Sequence, residues 1–247
     1  MPRKARQESG TGIYHIMLRG INQQNIFHDN EDNLKFLELL ADSKVADGFE
    51  LYGFCLMSNH VHLLMKTDAK NLGQIFKRIG VKYVYWYNLK YKRVGHLFQD
   101  RFKSEPVETD EYFLAVLRYV HQNPVKAGIA TDAGDYRWSS YGEYIGQHKI
   151  ADTKFALDIT GLESFITIHE IEADISCLEY INAPPRLSDA EAKKIIKGLI
   201  GHDDVERIQM LENNERAVCL QKLKLQGISI RQLSRLTGFS KGIVERA

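Results

Sequence analysis

A strand, an amphipathic helix and a tight hairpin, then a long helix and a further strand, predict an α+β fold. The pattern is that of a ferredoxin-like (RRM-like) antiparallel sheet with helices, followed by a helical C-terminal domain with a helix-turn-helix. Three observations carry the prediction. Residues 13–20 and 53–65 are apolar runs with strand character, the second broken by turn chemistry at Ser58-Asn59. Residues 30–46 and 71–91 repeat apolar side chains at helical spacing, and from Ser188 onward every pattern is helical. At 247 residues the chain is long enough to bury a core, in one large domain or two smaller ones.

Residues 1–12 read as a disordered basic arm, because Arg3, Lys4 and Arg6 charge it and no apolar run accompanies them. Ile13 and Ile16 mark the first strand, and the polar loop Asn22-Gln23-Gln24-Asn25 follows it. Asp29 or Asn30 caps the first helix, Asn30 to Ala46, whose apolar residues are Leu34, Phe36, Leu37, Leu39, Leu40 and Val45. The hairpin then sets His60 and His62 two positions apart in one strand, so both imidazoles point the same way, about 7 Å apart. That spacing suits one metal ion. It also suits two half-buried histidines satisfied by neighbouring backbone.

The second helical pattern ends in a tyrosine-rich basic stretch, Lys82 to Arg93. Two readings fit it. Aromatic rings interleaved with cations suit a nucleic-acid strand, and an amphipathic helix with Val81, Val84 and Tyr85 in the core suits the same spacing. His96-Leu97-Phe98 and Arg101 to Val107 supply a further strand, with Arg101 and Lys103 projecting from one face. Thr109-Asp110-Glu111 offers an N-cap and first-turn acids for a helix that Pro124 stops just past Asn123. Tyr119 and Asn123 stand at i and i+4 and share a helix face. A phenol and an amide oxygen on that face can meet a metal held by the two histidines; taken alone, Tyr119 reads as a core or interface tyrosine.

Four segments in this order, Tyr14-His15-Ile16-Met17-Leu18-Arg19-Gly20, Met57 to Leu64, Phe98 to Ser104 and Arg118 to Gly128, are joined by Trp138-Ser139-Ser140-Tyr141. Together they resemble the HUH single-tyrosine transposases, most closely the REP-associated tyrosine transposases of bacteria. The combination carries the resemblance: His-hydrophobe-His with Tyr-x-x-x-Asn-Pro-Val downstream. It implies a catalytic domain at 13–145 that cleaves single-stranded DNA of hairpin or palindromic form and transfers the strand. Tyr119 would be the nucleophile that forms a phosphotyrosine, and His60, His62 and Asn123 would ligate Mg²⁺ or Mn²⁺. Arg19, Asn22, Arg101 and Lys103 are the candidate DNA contacts around it, and the enzyme would be a monomer or homodimer. Two other readings stay open, a non-catalytic domesticated DNA-binding regulator and an RNA-binding protein using the same open sheet.

Residues 146–187 carry no motif and read as a packed connecting segment around Phe155, Leu157, Ile159 and Leu162, ending near Pro184-Pro185. In the helical domain 188–247, Ser188-Asp189-Ala190-Glu191 is a capping box, and Gly227 ends a helix that runs from Leu211 to Gln226. Residues 228–247 have a helix-turn-helix pattern, with Ser229 and Ser240 as caps, Gly238 at the turn and Ile230, Leu233, Leu236, Ile243 and Val244 as the shared core. Arg231, Arg235 and Lys241 there point to duplex DNA; the other reading is a helical hairpin packed on the rest of the protein. Lys plus Arg is 33 against Asp plus Glu 32, so net charge favours no nucleic-acid partner and any DNA surface is local. Cys55, Cys177 and Cys219 read as buried thiols of a reducing compartment. With no secretory leader and no run of 18 apolar residues, the chain reads as cytoplasmic, with no membrane partner.

Overall fold

Four strands, β1 (Ile13–Arg19), β2 (Glu50–Met57), β3 (His60–Lys66) and β4 (Lys103–Pro106), form one antiparallel sheet in the order β2-β3-β1-β4. α1 (Asn30–Asp47) joins β1 to β2, and α2 (Ala69–Lys90) joins β3 to β4. The computed structural model describes residues 6–147, 149–171, 177, 187–201 and 205–247. The chain divides into two units, residues 1–179 and 180–247.

In the first unit, strand alternation sends Tyr14, Ile16, Leu18, Val61, Leu63 and Met65 to one face, where they pack against Phe36, Leu39 and Leu40 of α1 and Leu72, Ile75, Ile79 and Tyr83 of α2. The other face sets Ile13, Cys55 and Leu64 against Phe113, Val116, Leu117 and Val120 of α3 (Asp110–Lys126). Each such large side chain contributes about 1.5–3 kcal/mol on burial, so both helical layers are held firmly to the sheet. The edge of β2 is covered by the segment containing Trp138-Ser139-Ser140: Leu56 N donates to Trp138 O, Ser140 N to Phe54 O and Tyr136 Oη to Leu56 O.

Local chemistry explains the helix ends. Asp29 and Asp32 cap α1 reciprocally, and Gly48 closes it in the left-handed region at φ 65°. Thr109 caps α3 by accepting from Tyr112 N. Pro124, expected as the stop, lies inside α3, which runs on to Lys126. In the last turn a proline forfeits only the bond to the carbonyl four residues back, and Ala127 N still donates to Asn123 O.

Several expectations need correction. Val81 and Tyr85 are 62% and 73% exposed, because the apolar stripe of Leu72, Ile75, Phe76 and Ile79 continues through Tyr83 and Tyr87 and turns the other side of α2 to solvent. Leu34 and Val45 of α1 are exposed for the same reason of phase. Within Lys82 to Arg93, Tyr83 and Tyr87 donate to Ile26 O and Asn25 O, and Lys90 bridges Asp29, Glu31 and the buried Asp32, while Lys82, Tyr85 and Lys92 are exposed. Residues 6–12 of the expected arm are tied down, with Ser9 N donating to Tyr14 Oη, Gly10 N to Glu108 and Arg6 over the Phe102 ring; residues 1–5 lie outside the described ones. β4 begins only at Lys103, so Arg101 precedes the strand in a bend where its N–H meets Asp100 Oδ1. The connecting segment contributes to the core as α5 (Lys154–Thr160) and α6 (Leu162–Glu170), which follow the short α4 (Tyr141–Tyr144) and bury Ala156 and Phe165 beside Phe113 and Tyr144. Its Pro184-Pro185 lies outside the described residues.

The loop after β1 is fastened to the hairpin turn: Gly20 N donates to Asn59 O, and Ile26 N and Phe27 N to Ser58 O. A β-carbon at Gly20 would stand 2.1 Å from Gln24 O. Gly20→Ala is therefore expected to cost about 1–3 kcal/mol by overpacking, read as a lowered denaturant midpoint at unchanged slope; an unaltered midpoint would contradict the close approach.

In the second unit, α7 (Asp189–Ile200), α8 (Asn213–Leu225), α9 (Ile230–Thr237) and α10 (Lys241–Arg246) enclose Ala192, Ile196, Leu220, Leu223, Leu233 and Val244. Ser188 and Glu191 cap α7 reciprocally, Ser229 caps α9, and Gly238 at φ 76° turns the chain before α10. Ser240 occupies the N-cap position of α10 but makes no side-chain capping bond. Arg231, Arg235 and Lys241 are exposed, and Arg235 pairs with Asp189.

Candidate active site

Directly opposed residues of an antiparallel pair share a face. Arg19 lies opposite His60, Met17 opposite both His62 and Lys103, and His15 opposite both Leu64 and Glu105. His15, Arg19, His60, His62, Lys103 and Glu105 therefore line the side of the sheet that α3 covers. The His60 and His62 rings are 5.0 Å apart, and the Tyr119 ring meets His62 and His15 edge-on at 5.5 and 5.9 Å. Asn123 Oδ1 stands 3.3 Å from His60 Nε2. The four residues singled out from the sequence, His60, His62, Tyr119 and Asn123, thus form one cluster between β3 and α3.

Two amides set the state of His60. Asn59 Nδ2 donates to Gln23 O, which turns Asn59 Oδ1 to His60 Nδ1 at 2.6 Å. Asn123 Nδ2 donates to Tyr119 O, which turns its Oδ1 to His60 Nε2. Both ring nitrogens face acceptors, yet a neutral imidazole has one N–H. With that proton on Asn59's side, the Nε2 lone pair and the Asn123 oxygen oppose each other, an arrangement relieved by a second ring proton or by a cation shared between them. His62 is buried, and burial first, then its neighbours His15 and His60, hold its pKa well below the histidine norm. It stays neutral, the form that binds metal. Among the described residues no group of three or more His, Cys, Asp or Glu is placed to hold a metal ion. The donors gathered here are two imidazoles and an amide oxygen, a mixed nitrogen and oxygen set.

Beside the histidines, Lys103 has its pKa lowered by burial and then by the charge of Arg19. Two cations crowded on one sheet face favour an anion between them. Arg101 and Asn22 are exposed, the latter in the loop that Gly20 fastens to the hairpin turn. Arg231, Arg235 and Lys241 belong to the second unit. Lys126 Nζ lies 5.1 Å from the Tyr119 ring centroid, a cation over the aromatic face. Three residues of this neighbourhood, His15, Glu105 and Lys126, carried no assignment from sequence. Lys126 shares the last helical turn with Asn123, a signal that spacing alone offers; His15 and Glu105 reach the site only through strand register.

A second histidine pair holds α3 against the edge of the sheet. His169 Nδ1 donates to Phe165 O at 2.7 Å, His121 Nδ1 donates to His169 Nε2 at 2.9 Å, and Ser140 Oγ donates to His121 Nε2 at 2.7 Å while accepting from Phe54 N. The carbonyl at one end only accepts, so with both rings neutral every proton in the chain has one direction. Burial lowers the His169 pKa to about 4 and that of His121 well below its usual value. The unfolded chain therefore protonates first as pH falls. Stability is full above the unfolded value of 6.5 and declines as pH falls to about 4, by about 3 kcal/mol for His169 alone. Denaturant midpoints between pH 7 and 4 check this, and a profile in which His169→Gln declines as steeply as the parent chain would count against it.

Residues 9–123 match the protein family described as "Transposase IS200 like". Among solved structures, the chain is similar to a REP-associated tyrosine transposase bound to a REP hairpin, with a TM-score of 0.51 at 14% identity over 72% of this chain and 100% of that one. A candidate transposase from Deinococcus radiodurans R1 aligns with a TM-score of 0.34 at 16% identity over 53% of this chain and 98% of that one. At these identities the first likeness is one of fold, and the second carries no argument. No curated protein matches the chain. The segment that matches the IS200-like transposase family, residues 9–123, contains both histidines, the tyrosine and the asparagine.

Proposed function

We propose that the protein is an IS200-like transposase, a metal-dependent enzyme that cleaves and rejoins single-stranded DNA of hairpin or palindromic form through Tyr119. The convergence of Tyr119 and Asn123 on His60 and His62 carries the reading. The β-α-β-β-α-β order with strands in the sequence β2-β3-β1-β4 supports a ferredoxin-like scaffold. The fold it shares with a REP-associated tyrosine transposase bound to a REP hairpin supports the DNA class.

His60, His62 and Asn123 would hold Mg²⁺ or Mn²⁺. When bound, such a cation polarises a non-bridging phosphate oxygen and stabilises the charge on the leaving 3′ oxygen. Arg19 and Lys103 hold the phosphate against the sheet. The Tyr119 oxygen attacks phosphorus, the bond to the 3′ oxygen breaks, and the phenol proton passes to that oxygen. The products are a 5′-phosphotyrosine and a free 3′-OH. Because the phosphoester is conserved in energy, the 3′-OH of another strand reverses the step and joins new ends without a nucleotide cofactor.

The deciding experiment incubates the full chain and Mn²⁺ with labelled single-stranded hairpins taken from the DNA flanking its gene. The expected result is a denaturation-resistant protein–DNA adduct. Tight binding of the hairpins without any adduct would favour a non-catalytic regulator instead, and preferential binding of RNA would favour the RNA reading.

The α9–turn–α10 geometry supports a helix-turn-helix that contacts duplex DNA. Arg231→Ala with Arg235→Ala and Lys241→Ala should lower the slope of log K against log salt by about 0.9 for each phosphate these cations neutralise. Cleavage of a short, saturating single strand should persist. An unchanged salt slope in the folded triple variant would remove these three residues from the DNA surface.

A further inference from the structure

We infer that Glu105 and His15 are positioning residues that fix His62 in the tautomer carrying its proton on Nδ1, leaving the Nε2 lone pair directed to the candidate cation site. The inference deepens the proposed function and rests on that reading of His62.

His15 is completely buried, between β4 and β3. Its Nε2 lies 2.9 Å from His62 Nδ1, with the rings stacked at 5.1 Å and 25°. The two are diagonal neighbours across β1 and β3, a spacing that rings can bridge. One of these nitrogens must donate and the other accept. Nothing within the pair decides which, because a neutral imidazole does either. The choice is made one strand further on. Glu105 stands directly opposite His15, and its Oε2 is 3.6 Å from His15 Nδ1. That nitrogen is buried, and the carboxylate, which Tyr112 also engages, is the acceptor it faces. A carboxylate only accepts, and its negative charge favours the N–H on the nitrogen that faces it. With the proton on His15 Nδ1, its Nε2 carries the lone pair, His62 Nδ1 must donate, and His62 Nε2 is left bare. The reverse order would protonate His62 Nε2 and make it useless as a ligand. The same logic gives ligating histidines their outer hydrogen-bond partners, here extended through a second ring.

Long-range ¹H–¹⁵N spectra of the histidine rings in the metal-free full chain read the tautomers directly, and Mn²⁺ calorimetry reads their consequence. The expected result is a proton on Nδ1 of both His15 and His62. Glu105→Gln, at a part-exposed position, presents an amide able to donate or accept; it should introduce the reversed tautomer and weaken Mn²⁺ binding. His15→Phe should weaken Mn²⁺ by about 10–100-fold, and His15→Gln, whose amide oxygen can accept from His62 Nδ1, should recover most of that loss. A proton on His62 Nε2 in the parent chain overturns the inference, as does Glu105→Gln with tautomers and affinity unaltered. If the tautomers are as inferred and the parent chain binds no Mn²⁺, the positioning role stands and the cation reading falls.

Discussion

Tyr119→Phe should abolish the covalent protein–DNA adduct and lower cleavage by roughly 10⁴–10⁶-fold, the scale of losing a covalent nucleophile, with hairpin affinity unchanged. The argument is one of minimal change. The substitution removes a single oxygen and keeps the ring, whose edge-on packing against His62 and His15 and its place below Lys126 help hold that face of α3 to the sheet. Melting temperature and hairpin binding therefore report an intact site, so the loss of adduct is assignable to chemistry. An adduct that persists in the variant would transfer the role to Tyr112 or Tyr141. Of these, Tyr141 is packed among His121, Phe165 and His169, within the hydrogen-bonded anchor of α3.

The sheet was legible in the sequence because its strands are buried on both sides and therefore read as nearly continuous apolar runs, and because a two-residue turn at Ser58-Asn59 leaves register little freedom. Helix phase was less legible. In α2 the choice between Tyr83 with Tyr87 and Val81 with Tyr85 as the inward stripe turns on tertiary partners, the carbonyls of Ile26 and Asn25 and the acids that take up Lys90. Hydrophobicity alone favours valine, and a tyrosine with a buried acceptor outcompetes it. Residues 6–12 and α5–α6 illustrate the same limit: their partners, Glu108, Phe102, Phe113 and Tyr144, are remote in sequence.

For the site, the sequence supplied His60, His62, Tyr119 and Asn123, whose relations are local, and missed Lys126 in the last turn beside Asn123. His60 and His62 are linked by the strand period, and Tyr119 and Asn123 by the helical one. It did not supply His15 or Glu105, because cross-strand neighbours are fixed by register among three strands that lie far apart in the chain. Arg101 and Lys103 were paired by assuming a strand that begins earlier than it does; Arg101 lies in the bend before β4, and Lys103 stands beside Arg19.

His60→Ala combined with His62→Ala should eliminate Mn²⁺ binding and reduce cleavage to the metal-free level. Several kcal/mol of transition-state charge stabilisation would go with the cation, roughly 10³-fold or more in rate. The stability cost is smaller and separable. His60 is part-exposed, whereas removing His62 leaves His15 Nε2 without its partner inside the sheet. An unsatisfied buried group costs about 1–3 kcal/mol, with a cavity term added, against the roughly 5–15 kcal/mol that holds a domain of this kind together. The variant should therefore fold, with a lowered melting temperature and native circular dichroism. Chelation of the parent chain should reproduce the loss of cleavage, and chelation of the variant should do nothing more, since no site is left to empty. Calorimetry decides between this and a purely structural role for the pair: Mn²⁺ binding that survives both substitutions would place the cation elsewhere and reduce His60 and His62 to packing residues under α3.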